Sequence, residues 1–76
     1  MDPEAMKMLA VGLTAGLGFL GPALGIGLIG YSALQGIARN PDASGPIMTN
    51  MILVTAFCEA IGIYALIIAI ILAMIV

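Results

Sequence analysis

Glu59 is the residue whose type and setting promise chemistry. It is the only charge between Pro46 and Val76, a stretch otherwise built from Ile, Leu, Met, Ala and a few small polar residues. In a helix rising ~1.5 Å per residue, Glu59 lies roughly 20 Å from Pro46 and about 25 Å from the C-terminus. That depth is close to a bilayer midplane, where a charge costs about 2.5–3.5 kcal/mol on insertion scales. A carboxyl there escapes the cost by holding a proton and ionises only in a polar pocket, so its natural use is to carry a proton or a cation. The chain has no His, no nucleophile–base pair, no metal cluster and no phosphate-binding loop, so it is read as non-enzymatic and without a cofactor.

The elements that position this carboxyl follow from composition. Of 76 residues, 63% are hydrophobic and only 8% charged, against about 25% charged in soluble domains. Two apolar runs, Met8 to Ala38 and about Ile47 to Val76, each exceed the ~20 residues that cross a ~30 Å hydrocarbon core. The first run is far longer than the apolar region of a secretory signal and follows an acidic start (Asp2, Glu4), so it is expected to stay as a membrane helix. The fold class is therefore an all-α membrane protein, a two-transmembrane-helix hairpin forming a single domain over residues 1–76. Its parts are an inner helix at about 5–38, a polar loop at 39–45 and an outer helix at about 46–76. A net charge of −2 gives no reason to expect a nucleic-acid partner. The single Cys58 excludes an intramolecular disulfide and reads as a small apolar filler.

The loop carries turn chemistry. Pro41 pushes Asn40 out of helical conformation, and Asp42 or Ser44 is expected to cap the second helix, whose first turn tolerates Pro46. Lys7 and Arg39 stand at opposite ends, so the positive-inside rule leaves the orientation open.

Helix one is a packing device. Thr14, Gly18, Gly21, Gly25, Ser32 and Gly36 form one narrow stripe, and Gly12, Gly16, Ala23, Gly27 and Gly30 a second, roughly opposite. Small residues allow membrane helices to approach closely. Seven glycines between Gly12 and Gly30 is a heavy loss of helix propensity unless packing returns it. Two opposed stripes predict a helix clasped on both sides by neighbouring copies, and unlike faces propagate head to tail into a ring. Pro22 is expected to bend the helix locally. Helix two is bulkier and reads as the outer, lipid-facing layer, with Glu59 on it.

The ion follows from the ligands available. Sodium needs several converging oxygens, but the residue after Glu59 is Ala60. Ile26, Gly27 and Gly30 of helix one are expected at comparable depth, with Ser32 and Gln35 about 9–13 Å nearer the loop. A proton needs one acceptor, such as the backbone carbonyl of Phe57. Proton is favoured over sodium. The deep Tyr64 hydroxyl needs a partner, either Glu59 of the same or a neighbouring protomer or a backbone carbonyl.

With these residues in view, the chain resembles the c-subunit, or proteolipid, of F-type ATP synthase. The resemblance rests on Gly21-x-Ala23-x-Gly25-x-Gly27, on Ala38-Arg39-Asn40-Pro41, and on Glu59 followed by Gly62-Ile63-Tyr64, and it covers essentially the whole chain. It implies a homo-oligomeric ring in the membrane lipid, with helix one inside and helix two outside. Protons would reach Glu59 through half-channels in the a-subunit, whose arginine displaces the proton, and ring rotation would drive the central stalk. Phe57 would offer its carbonyl to the bound proton. Arg39, Asn40 and Pro41 match the stalk-contact loop, which would place the loop on the cytoplasmic side of a bacterial inner membrane or equivalent energy-coupling membrane. Ala23 interrupts the family's glycine run. Sodium-using members carry Gln where Ile26 stands and Ser or Thr where Ala60 stands, which agrees with the proton reading.

Three other readings fit the residues less well. A pore-forming hairpin such as a holin usually carries charged tails, whereas this sequence closes on Ala-Met-Ile-Val. A structural proteolipid would use Glu59 only for helix–helix hydrogen bonding. A vacuolar-type rotor proteolipid shares the mechanism but is often duplicated into four helices.

Overall fold

The computed structural model describes residues 2–76 and forms a hairpin of two long helices, with extents of 58 × 18 × 8 Å. α1 spans Pro3–Arg39, a single 3-10 turn covers Pro41–Ala43, and α2 spans Ser44–Met74. Both helices are long and apolar enough to cross a membrane.

The start of α1 is built from its first residues. Asp2 is the N-cap, its Oδ1 accepting the Ala5 N–H at 2.7 Å, while Pro3 supplies a preset φ where no donor is needed. Glu4 complements the helix dipole and pairs with Lys7 at 3.9 Å. The acidic start that argued against a signal sequence is thus a helix-start signal. Pro22 does not interrupt α1, which runs on to Arg39. The helix stops where Pro41 holds Asn40 at φ −142°, ψ 83°.

The connection is tighter than the expected seven-residue loop. Arg39 ends α1, and Ser44 and Gly45 already belong to α2. The Ala43 N–H bonds Asn40 O at 3.0 Å and the Ser44 N–H bonds Pro41 O, so a 3-10 turn feeds directly into the helix. Neither Asp42 nor Ser44 caps it: the N-cap is Ala43, without a side-chain bond, and Ser44 is itself helical. The turn's own backbone bonds remove the need for a cap. Thr49 and Asn50 donate to the carbonyls of Gly45 and Pro46, satisfying their side chains on their own helix.

The helices meet along a seam of small residues. A methyl added at Gly18 would stand 2.5 Å from Ala65 Cβ, one at Gly25 2.8 Å from Cys58 Sγ, and one at Gly36 3.1 Å from the end of Ile47. From the other side, Gly62 faces the Pro22 ring at 3.6 Å. Only Ala33 and Ala69 are buried among the described residues, while Leu28, Phe57 and most other large apolar side chains are exposed. A hairpin with so little interior is stable only where those side chains face lipid or further copies.

This seam revises the roles of the glycine stripes. Gly18, Gly25 and Gly36 of the first stripe serve the hairpin's own contact, not a neighbouring copy. A methyl added at Gly21 of that stripe would meet nothing within 4 Å beyond its own stretch of helix among the described residues, and the same holds for Gly12, Gly16, Gly27 and Gly30 of the second. Helix two also has small residues after all. Cys58, Gly62, Ala65 and Ala69 fall on one face because their three- and four-residue spacing is helical.

Candidate functional site

Glu59 is the middle residue of α2, flanked by fifteen helical residues on each side. Its side chain is exposed at the edge of a groove of about 450 Å³ between the two helices. The groove is completed by Phe19, Pro22, Ala23 and Ile26 from α1 and by Gly62, Ile63 and Leu66 from α2. Glu59 is the only lining residue with a polar side chain.

Three helical facts put it there. Cys58 and Gly62 face α1, which brings Cys58 level with Gly25 and Gly62 against Pro22. Consecutive helical residues stand about 100° apart, so Glu59 projects from one flank of α2, beside the seam and not into it. Ala23 projects from the same flank of α1, so the open glycine stripe borders the groove that holds the carboxyl.

The antiparallel pairing sets the depth. Gly25 lies opposite Cys58, so Glu59 is level with Leu24 and Gly25; of the expected Ile26, Gly27 and Gly30, Ile26 lines the groove with it and the two glycines stand nearer the loop. Ser32 and Gln35 are seven and ten residues beyond Gly25, roughly 10 Å and 15 Å nearer the loop. The polar side chains of α1 are therefore somewhat farther from the carboxyl than the expected separation.

Phe57 and Tyr64 are seven residues apart, close to two helical turns, so they share a flank of α2. That flank is opposite the one bearing Glu59, and both side chains are about two-thirds exposed. Within one hairpin Tyr64 and Glu59 are not brought together. Gly21 and Gly27 are open, Gly25 is closed by Cys58, and Ala23 lines the groove. Arg39, Asn40 and Pro41 are exposed together at the turn, roughly 23 Å along the helices from Glu59.

Sequence reasoning missed the cross-helix contact of Cys58, whose Sγ donates to the Pro22 carbonyl at 3.4 Å. The signal was present, since a Cys one position before the acid necessarily occupies a face about 100° away. Among the described residues no group of three or more His, Cys, Asp or Glu side chains gathers as a metal site.

Known proteins match most of the chain. A family profile described as the C subunit of ATP synthase matches residues 9–72. The ATP synthase c-subunit of Dehalococcoides mccartyi is 54% identical over 72 residues, covering 95% of each chain. The ATP synthase c-subunit of Chloroflexus aurantiacus is 42% identical over 66 residues, 87% of each chain. The Prochlorococcus marinus protein of the same description is 44% identical over 69 residues, 91% of this chain and 85% of its own.

Proposed function

This chain belongs to the ATP synthase c-subunit family, and from that premise we propose that Glu59 is its proton carrier. A family member is an integral membrane, non-catalytic component of the rotor ring in the synthase's membrane sector, and assembles with other subunits of that complex. The observation that carries the assignment to Glu59 is its place at the midpoint of α2, on a lateral groove whose other lining side chains are all apolar.

The groove suits a group that alternates between two states. Protonated, the carboxyl is neutral and can face lipid at the bilayer centre; ionised, it requires a positive or well-hydrated partner. In the ring, head-to-tail repetition of the hairpin sets the Glu59 flank of one copy against the Phe57 and Tyr64 flank of the next. The Phe57 carbonyl and Tyr64 hydroxyl of that next copy then stand as the partners for the protonated acid. A polar half-channel in the a-subunit, with its arginine, is where the proton leaves and returns. Each exchange advances the ring, and the turn bearing Arg39, Asn40 and Pro41 passes the rotation to the central stalk. That role puts the turn on the cytoplasmic side of a bacterial inner membrane or equivalent energy-coupling membrane.

The transported ion in this reading is a proton, not sodium. The side chains that line the groove with Glu59 supply no second oxygen, and Ser32 and Gln35 are out of reach. A hydrophobic carbodiimide, which attacks protonated carboxyls in apolar settings, tests this in native membranes. Labelling of Glu59 should fall as pH rises across about pH 5 to 10 and should ignore sodium. Protection by millimolar sodium would replace the proton by sodium. Absence of labelling at every pH would remove Glu59 from the carrier role and leave it a packing residue.

A further inference from the structure

The two residues that bracket Glu59 on the seam face, Cys58 and Gly62, are the ones that meet the Pro22–Gly25 turn of α1. Cys58 Sγ lies in a notch opened by the missing side chain of Gly25, where a methyl group would stand 2.8 Å from it. Among the described residues, beyond Gly25's chain neighbours and α1's nearby backbone, no other atom approaches that position within 4 Å. The same thiol donates to the Pro22 carbonyl at 3.4 Å, and the Pro22 ring rests on Gly62. Pro22 also lines the groove that holds Glu59. One turn of α1 therefore touches α2 immediately before the acid and three residues after it.

We infer that this seat, formed by Pro22 and Gly25 against Cys58 and Gly62, is the positioning device for Glu59, setting the rotation of α2 that aims the carboxyl along the lateral groove. Cys58 and Gly25 act through Glu59 and are positioning residues. The steric fit does most of the holding, because a thiol-to-carbonyl bond is weak and mainly fixes direction. A helix pinned at Cys58 and Gly62 cannot rotate without driving Sγ into the backbone at Gly25 or sliding Gly62 off the proline ring. Since Glu59 stands about 100° from Cys58, a small rotation moves the carboxyl either toward the seam or out toward lipid. This places a requirement on the residue before the acid that the carboxyl's own chemistry does not impose.

The inference rests on Glu59 as the carrier, and a notch swap in the assembled ring in membranes tests it. Gly25→Ala fills the notch from α1 and forces Sγ out. At fixed pH the carbodiimide labelling rate of Glu59 should change by roughly two- to tenfold, the range an off-rotamer side chain imposes. Cys58 should at the same time react faster with a membrane-permeant maleimide. Adding Cys58→Ala to Gly25→Ala removes the collision and should return the Glu59 rate to within about twofold of the unaltered chain. If Gly25→Ala does not assemble, Cys58→Ala alone empties the notch and is held to the same two- to tenfold change, while Cys58→Ser, which keeps a donor of similar shape, should stay near the original rate. An unaltered Glu59 rate in Gly25→Ala and Cys58→Ala, with Glu59 labelled normally in the parent, would overturn the positioning role alone. No labelling of Glu59 in the parent would overturn the carrier reading and the positioning role with it.

Discussion

At the scale of single residues, the proposed carrier role puts the chemistry at Glu59 and leaves its neighbours to tune it. Gln is nearly the same shape as Glu and hydrogen-bonds in membranes, but it cannot exchange a proton. Glu59→Gln should therefore leave the ring assembled and abolish proton conduction to background, read as passive proton flux through the membrane sector in vesicles. Conduction that survives would assign Glu59 a packing role. Asp2 is a residue of the other kind, with a purely structural task. Its carboxylate caps α1 through the Ala5 N–H. Asp2→Ala should loosen the first turn by about 1 kcal/mol, seen as faster amide exchange at residues 4–7 with proton conduction unchanged.

At the scale of elements, the seam divides glycines that sequence inspection treats alike. A methyl at Gly18 collides with Ala65 Cβ at 2.5 Å, a short side chain that cannot swing away. Gly18→Ala should spread the helices and lower the hairpin's resistance to unfolding in detergent by about 1–3 kcal/mol, the range for overpacking. Gly62→Ala places its methyl 3.6 Å from the Pro22 ring, an ordinary contact, and should be close to neutral in the same denaturation. Equal losses at both positions would mean that the seam is not the contact that holds the hairpin.

At the scale of the whole molecule, the hairpin is incomplete by itself. Leu28, Phe57, Tyr64 and Leu17 are each about two-thirds exposed, and Gly12, Gly16, Gly27 and Gly30 form an open track along α1. Membrane helices associate through such close approaches, so we propose the track as the surface for the next copy. Bulk there should harm the assembly without harming the protomer. Gly16→Leu or Gly27→Leu should leave helix content by circular dichroism unchanged while the ring falls apart to monomers on heating in detergent. Intact rings after that treatment would move the copy-to-copy contact to another face.

Much of this protein is legible without coordinates. Two apolar runs broken at Asn40-Pro41 can only cross a membrane and return, and a lone acid at mid-depth can only be functional or costly. Those conclusions depend on composition and on distance along the chain, which a sequence contains in full. Three matters were decided only by the packed hairpin. Helical wheels found two small-residue stripes but not which one α2 occupies, because that depends on the rotation of one helix against the other. The axial register is the second, fixed by the tight turn, and it sets the pairing of Cys58 with Gly25 and the distance of Ser32 and Gln35 from Glu59. The turn is the third case. Asp42 and Ser44 have the right chemistry to cap a helix, yet the 3-10 turn at Pro41–Ala43 runs into α2 and leaves no cap to fill. Composition and linear spacing thus determined the hairpin and its acid. The partners of each face were left to tertiary contact, because steric fit between two helices is a property of neither one alone.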